Sequence, residues 1–214
     1  MPGDLFVGRK IYSGISKKMT LLFRIGFFCF LIKLSMISAA FGCGDFPAQG
    51  FDDPARPRLT GRIYNPNYGY SVVIPNGLVG YTSAAPAPYH GFGIVLSWEP
   101  RSYLYVDGSY NSLDLKSLED VEANYLASLK EESAKLISGR HSVTKLGDLP
   151  ARRYIVLHTC PKVSGDFIDD YTVAFNENKG ILYTVALLTT AERYEKDKLV
   201  LEELLKTWKL EPIK

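Results

Sequence analysis

The sequence predicts an α+β fold: an α/β/α sandwich with a largely antiparallel central sheet covered by helices on both faces. Two stretches of helical periodicity, one in mid-chain and one near the C-terminal end, flank four strand-like segments. Two of those segments are apolar on both sides, whereas an antiparallel sheet with one wet face alternates apolar with polar residues. Strands of this kind require cover on both sides, and the two helices are the elements available to supply it.

Residues 43–60 (CGDFPAQGFDDPARPRLT) are aperiodic and rich in Gly, Pro and Asp, so they read as a linker, with the folded domain over 61–214. Residues 70–75 (YSVVIP) form a β-branched run closed by the turn signal Pro75-Asn76-Gly77. Residues 80–91 read as a loop holding Pro86 and Pro88. Strands follow at 92–98 (FGIVLSW) and 102–106 (SYLYV). Ser117-Leu118-Glu119-Asp120 fits a capping box, in which the serine oxygen and the acid three residues on satisfy free amide donors. From there Leu118, Val121, Tyr125, Leu129 and Leu136 recur at helical spacing, which predicts about six turns ended by Gly139. Strands are then expected at 142–146, 152–160, 167–177 and 180–189, with NENKG (176–180) as the hairpin connection between the last two. In the second of these, Tyr154, Val156, His158 and Cys160 share one face, and Ile155, Leu157 and Thr159 the other. Thr189-Thr190-Ala191-Glu192 repeats the capping-box pattern. It predicts a last helix running to about Trp208, with Leu201, Leu204, Leu205 and Trp208 buried and Pro212 preventing its continuation.

The chain has 214 residues, 46% of them apolar. That content excludes wholesale disorder, and three cysteines exclude a disulfide-framework miniprotein or a multi-finger zinc protein. Residues 1–43 carry six basic side chains and one acid. That leaves 19 basic and 22 acidic of the chain's 25 and 23 for residues 44–214, a net of −3. A nucleic-acid binder concentrates positive charge on its folded part, so no nucleic-acid partner is expected.

The positive charge belongs to a leader. Residues 21–42 (LLFRIGFFCFLIKLSMISAAFG) place basic residues ahead of an apolar stretch that small residues close, the order of a secretory signal. Arg24 and Lys33 interrupt the stretch, and the uncharged piece IGFFCFLI is too short to cross a ~30 Å hydrocarbon core. A membrane anchor with both cations snorkelling, or a buried core helix, are the other readings of residues 1–42. Met19 is an alternative start. Ala40-Phe41-Gly42-Cys43 resembles a bacterial lipobox, with Ala40 where leucine is usual and Phe41 where a small residue is usual. Cys43 is therefore a candidate lipidation site. The other readings are simple cleavage with Cys43 free, or Cys43 paired with Cys160. Each route places the protein in the periplasm or cell envelope, or outside the cell, with membrane contact through a lipid anchor or the leader.

The segments YGYSVVIPNG, LGDLPARRYIV, GILYTVALLTTAERY and LEELLKTWKL together resemble the PsbP-like fold over about residues 61–210. This family includes the extrinsic PsbP subunit of photosystem II, a nuclear Ran-binding protein and bacterial envelope lipoproteins. The resemblance implies a non-enzymatic module that binds or stabilises a protein partner, here an envelope protein. Its motifs are structural, so it carries no catalytic or metal-binding residue onto this chain.

The residues themselves offer little chemistry. His158 and Cys160 lie on one strand face, but a structural zinc site needs four ligands and no CxxC or HxxxH supplies the rest. There is no G-x-S-x-G elbow and no phosphate-binding loop around Gly91-Phe92-Gly93. His90, His141 and His158 have no positioned nucleophile, and Cys160 sits among apolar neighbours. Asp166, Asp169 and Asp170 lack the glycine and distal glutamate of a calcium loop and read as a solvated acidic turn. No cofactor, no metal and no catalytic residue are expected. The aromatic cluster Tyr64, Tyr68, Tyr70, Tyr81, Tyr89, His90 and Phe92, interleaved with Pro and Gly, is the candidate binding feature, because tyrosine offers large, rigid, amphipathic contact area. Within it Tyr81, Tyr89, His90 and Phe92 are the expected partner or ligand surface. A periplasmic inhibitor or immunity-type protein, and a hydrolase or redox enzyme using His158 or Cys160, are the alternative functions.

Overall fold

The computed structural model describes residues 57–82, 90–131, 135–136, 142–159 and 166–213. Along the chain run β1 (Arg58–Leu59), β2 (Arg62–Asn65), β3 (Tyr70–Val73), β4 (Gly80–Thr82), β5 (Phe92–Ser97), β6 (Ser102–Tyr110) and α1 (Leu118–Glu131). Then come β7 (Lys135–Leu136), β8 (Ser142–Leu146), β9 (Leu149–Thr159), β10 (Asp166–Asn176), β11 (Ile181–Thr190), α2 (Tyr194–Thr207) and β12 (Lys209–Leu210). The protein is α+β and dominated by antiparallel sheet. A large sheet has the order β1-β4-β5-β6-β11-β10-β9-β7, with β8 also on β9, and a small one has the order β12-β3-β2. Strand β1 lies within the stretch read as linker and pairs Arg58 with Tyr81 and Leu59 with Gly80.

Alternate positions on β9 and β10 serve different clusters, as the two-residue period of a strand requires. Ala151, Ile155 and Leu157 of β9 and Ile168 and Ala174 of β10 pack with Leu201, Leu204 and Trp208 from α2 and its C-terminal cap. Tyr154 and Val156 of β9 and Val173 and Phe175 of β10 pack with Leu118, Val121, Tyr125 and Leu129 of α1. Of the expected stripes, Leu118, Val121, Tyr125 and Leu129 on α1 and Leu201, Leu204 and Trp208 at α2 are buried, and Leu205 is partly buried.

On the α1 side of the strands one register row crosses the large sheet: Tyr81, Gly93, Tyr105, Ala186, Tyr171, Tyr154. Large rings alternate with small residues along part of it. Tyr103 in the next row lies over Gly93 so closely that a Cβ there would stand 2.3 Å from its hydroxyl. Tyr125 stacks on Tyr171 at 4.8 Å and tilts against Tyr154 at 4.7 Å.

Several expectations need correction. Helix α1 ends at Glu131, well short of Gly139, and Lys135–Leu136 pairs with Leu157 and Val156 as strand. Helical spacing extends the stripe to Leu136, but pairing with β9 outweighs that local preference. The helix starts as expected: the Asp120 N–H donates to Ser117 Oγ at 3.2 Å, and Asp120 Oδ2 accepts the Lys116 N–H at 2.8 Å. At α2 the capping pattern misleads. Thr189 and Thr190 close β11 opposite Ile168 and Phe167, and the helix begins at Tyr194 after Arg193, which makes no side-chain capping bond. The expected loop over 80–91 contains β4 at its start. The acidic stretch 166–170 is strand, and Asp170 is wholly buried because Arg153 neutralises it. Gly139 and His141 lie outside the described residues.

Candidate functional site

The small and large sheets meet at the turn between β2 and β3. Asn65 builds that turn: its Oδ1 accepts the N–H groups of Asn67 (3.1 Å) and Tyr68 (3.3 Å), an Asx arrangement that replaces backbone pairing. Gly69 finishes it at φ +62°, a conformation open to glycine. The turn presents Tyr68, whose carbonyl accepts the Tyr183 hydroxyl at 2.7 Å, tying the turn to β11. Gly108 makes the approach possible, because a Cβ there would stand 2.8 Å from the Tyr68 Cβ.

His90 meets this turn from the large sheet. Its N–H donates to Asp107 Oδ1 at 2.9 Å, and its carbonyl accepts Asn65 Nδ2 at 2.5 Å and the Tyr70 hydroxyl at 3.2 Å. Gly91 lets the chain run this close to β6, where a Cβ would fall 1.8 Å from the Val106 carbonyl oxygen. The Tyr68 ring lies 4.8 Å from His90 and 5.1 Å from Tyr110, both tilted, so three rings form one seam.

This end of the molecule is also where apolar surface collects. Tyr110 is 62% exposed. Tyr64, Leu113 and Ile213 are exposed as well, so the seam and its flanks hold four of the six large apolar side chains exposed among the described residues. Tyr64 donates its hydroxyl to the Pro212 carbonyl at 2.8 Å, Ile213 abuts Gly69, and Leu113 follows Tyr110 by three residues. Trp98 and Leu199, the other two, sit on the β5–β6 turn and on α2.

Burial holds the Asp107 carboxyl above its usual range, although the N–H groups of His90 and Gly108 and the His90 ring oppose the shift. Burial, with smaller contributions from Tyr110 and Asp107, likewise raises the Tyr68 phenol. The seam therefore presents aromatic rings beside hydrogen-bonding groups. Its chemistry is that of contact and recognition, with amphipathic aromatic area held in fixed orientation.

The structure separates the residues singled out from the sequence. His90 lies in the seam with Tyr68. Tyr81 is half-buried in β4 and packs against Tyr103 and Tyr105 in the tyrosine row. Phe92 is 1% exposed and packs in the main core, so its ring presents no surface and the expectation for it is corrected. Its place in β5 turns it inward, which the glycines around it do not reveal in sequence. Tyr70 is buried and stacks on Trp208. Tyr89, Cys43 and Cys160 lie outside the described residues. His158 is partly buried, and burial lowers its pKa. Among the described residues no three His, Cys, Asp or Glu side chains are grouped to hold a metal, and no helix there is long and apolar enough to cross a membrane. Sequence reading missed Asn65, Asp107 and Tyr110. The Asn65-Pro66-Asn67 turn signal was legible, whereas Asp107 and Tyr110 join the site only through strand pairing.

No protein-family model and no curated protein matches this sequence. Solved structures similar to it include LpqN of Mycobacterium tuberculosis, described as involved in cell envelope biogenesis, at 11% identity and TM-score 0.46, covering 75% of this chain and 94% of that one. The Ran-binding protein Mog1p of Saccharomyces cerevisiae aligns at 9% identity and TM-score 0.48, covering 72% and 96%. The cyanobacterial PsbP of Synechocystis sp. PCC 6803 aligns at 20% identity and TM-score 0.45, covering 75% and 95%. The last two are of the kinds by which the PsbP-like resemblance was stated, and the likeness is one of fold.

Proposed function

We propose that this chain is a non-enzymatic protein-binding module of the periplasm or cell envelope that docks an envelope protein through the aromatic seam. The observation that carries the reading is the gathering of exposed Tyr64, Tyr110 and Ile213 about a turn whose backbone, with that of His90, is held in place by hydrogen bonds. Exposed aromatic side chains on a rigid base are the usual material of interface hot spots. The address rests on the leader at 1–42, released by cleavage or by lipidation at Cys43. The alternation along β9 and β10 supports the finer architecture within this reading, with one helix over each face of the sheet.

The test is crosslinking of the tagged full-length protein in intact envelopes, comparing wild type with Tyr110→Ala and Leu199→Ala. A partner captured by wild type should fall by roughly tenfold or more with Tyr110→Ala and stay level with Leu199→Ala. Capture that is indifferent to Tyr110, or lost equally in both variants, overturns the reading.

A further inference from the structure

We infer that Asn65 is the positioning residue of the seam, the side chain that fixes both the turn carrying Tyr68 and the backbone of His90. The inference rests on the docking reading above and concerns how that surface is held. The Asn65 amide is fully used. Oδ1 accepts from Asn67 and Tyr68, and Nδ2 donates to the His90 carbonyl at 2.5 Å and to the Tyr70 hydroxyl at 3.4 Å. The orientation follows from the partners: with nitrogen and oxygen exchanged, the NH2 would face two N–H donors and the oxygen would face a carbonyl.

The opposite side of His90 is held by Asp107 of β6, so the residue is gripped between the small and large sheets. Tyr68, whose ring packs on His90, hangs from the same Asn65 side chain. One amide therefore sets the separation of two rings that come from segments 22 residues apart in sequence. Rings fixed before a partner arrives lose less conformational freedom on binding, which favours affinity without further contact area.

Asparagine is the residue this geometry needs. Aspartate would keep the acceptor that shapes the turn, lose the donor to His90 and set a carboxylate against its carbonyl. The experiment is histidine-selective NMR of full-length protein, with the His90 line identified by its loss in His90→Gln. In Asn65→Asp the His90 ring protons should shift from the position they hold beside the tilted Tyr68 ring toward the free-histidine value, with far-UV dichroism unchanged. Tyr70→Phe, which removes the second donor to the same carbonyl, should give a smaller shift of the same sign. That variant carries the test if Asn65→Asp does not fold. An unmoved His90 line in the folded variants overturns the inference whatever the partner does. A moved His90 line with undiminished partner capture upholds the positioning role and overturns the docking reading instead.

Discussion

The two sides of β9 and β10 solve the problem of buried polarity differently. On the α2 side Asp170 is wholly buried and accepts a bidentate pair from Arg153 at 2.6 and 2.7 Å, together with the Tyr194 hydroxyl at 2.8 Å. Arg153 also reaches Glu202 at 2.6 Å. A second buried carboxylate, Asp197, accepts from Ser102 (2.6 Å), Thr189 (2.8 Å) and Arg193 (3.0 Å). Helix α2 is thus joined to the large sheet through two charged clusters beside a core of mixed aliphatic and aromatic side chains. On the α1 side the polarity is phenolic. Tyr105, Tyr125, Tyr154 and Tyr171 pack there, and burial raises the Tyr171 phenol to about 12 and the Tyr105 phenol well above its ordinary value. Burial thus favours the uncharged form of both. The ion pairs of this side lie at the rim, where Arg152 meets Glu119 and Glu122 at 3.1 Å, and the Asp169 carboxylate borders the phenols of Tyr105 and Tyr171. Stripping a partner from a buried ion costs more than stripping one from a buried phenol, so the α2 side should be the more fragile.

The largest effect should come from removing one partner of the buried pair. Arg153→Met leaves Asp170 uncompensated and should cost about 3–5 kcal/mol in urea unfolding at neutral pH. Adding Asp170→Leu should restore most of that loss, because an apolar pair replaces the ions. If the double variant is no better than the single, the fragility lies in packing and the contrast between the sides fails.

Removing one hydroxyl from each side sharpens the contrast. Tyr194→Phe deletes a hydrogen bond to a carboxylate and should cost about 1.5–3 kcal/mol. Tyr171→Phe deletes a neutral 3.3 Å contact with Thr184 and should cost about 0.5–1.5 kcal/mol. Equal losses in thermal unfolding would remove the distinction. The tyrosine row has its own weak point in packing. Gly93→Ala drives a methyl into the Tyr103 ring and should cost about 1–3 kcal/mol, with a change in near-UV dichroism.

The smallest effect concerns pH. Asp107 has its folded pKa raised by burial, so its contribution is fully present below the unfolded carboxylate value of about 3.9 and is lost as pH rises through the folded value. Asp107→Asn removes the charge and keeps an acceptor for the His90 N–H. Its stability relative to wild type should therefore rise across that interval and level off above it. A difference independent of pH would show that Asp107 does not titrate between the two states.

Local patterns carried much of this architecture. The capping box at Ser117, the stripes Leu118–Val121–Tyr125–Leu129 and Leu201–Leu204, and the two-faced strand around Tyr154–Leu157 were all legible, because each depends on spacing within one element. The candidate site was legible only in part. His90 and Tyr68 stood out by composition, but Phe92 in the same cluster is core. Asp107 and Tyr110 look in sequence like ordinary strand residues. Their role depends on β6 lying between β5 and β11, a neighbourhood no local pattern encodes.

The sequence by itself determined the α+β class, the succession of most elements and the buried face of each helix, since hydrophobic periodicity is a short-range property of the chain. Only the tertiary structure decided where α1 stops, that Thr189 serves Asp197 instead of capping a helix, and that Asn65 grips His90. Those outcomes turn on hydrogen-bond partners brought from distant segments. A buried donor or acceptor takes whichever partner the fold places beside it, whatever its neighbours in sequence suggest.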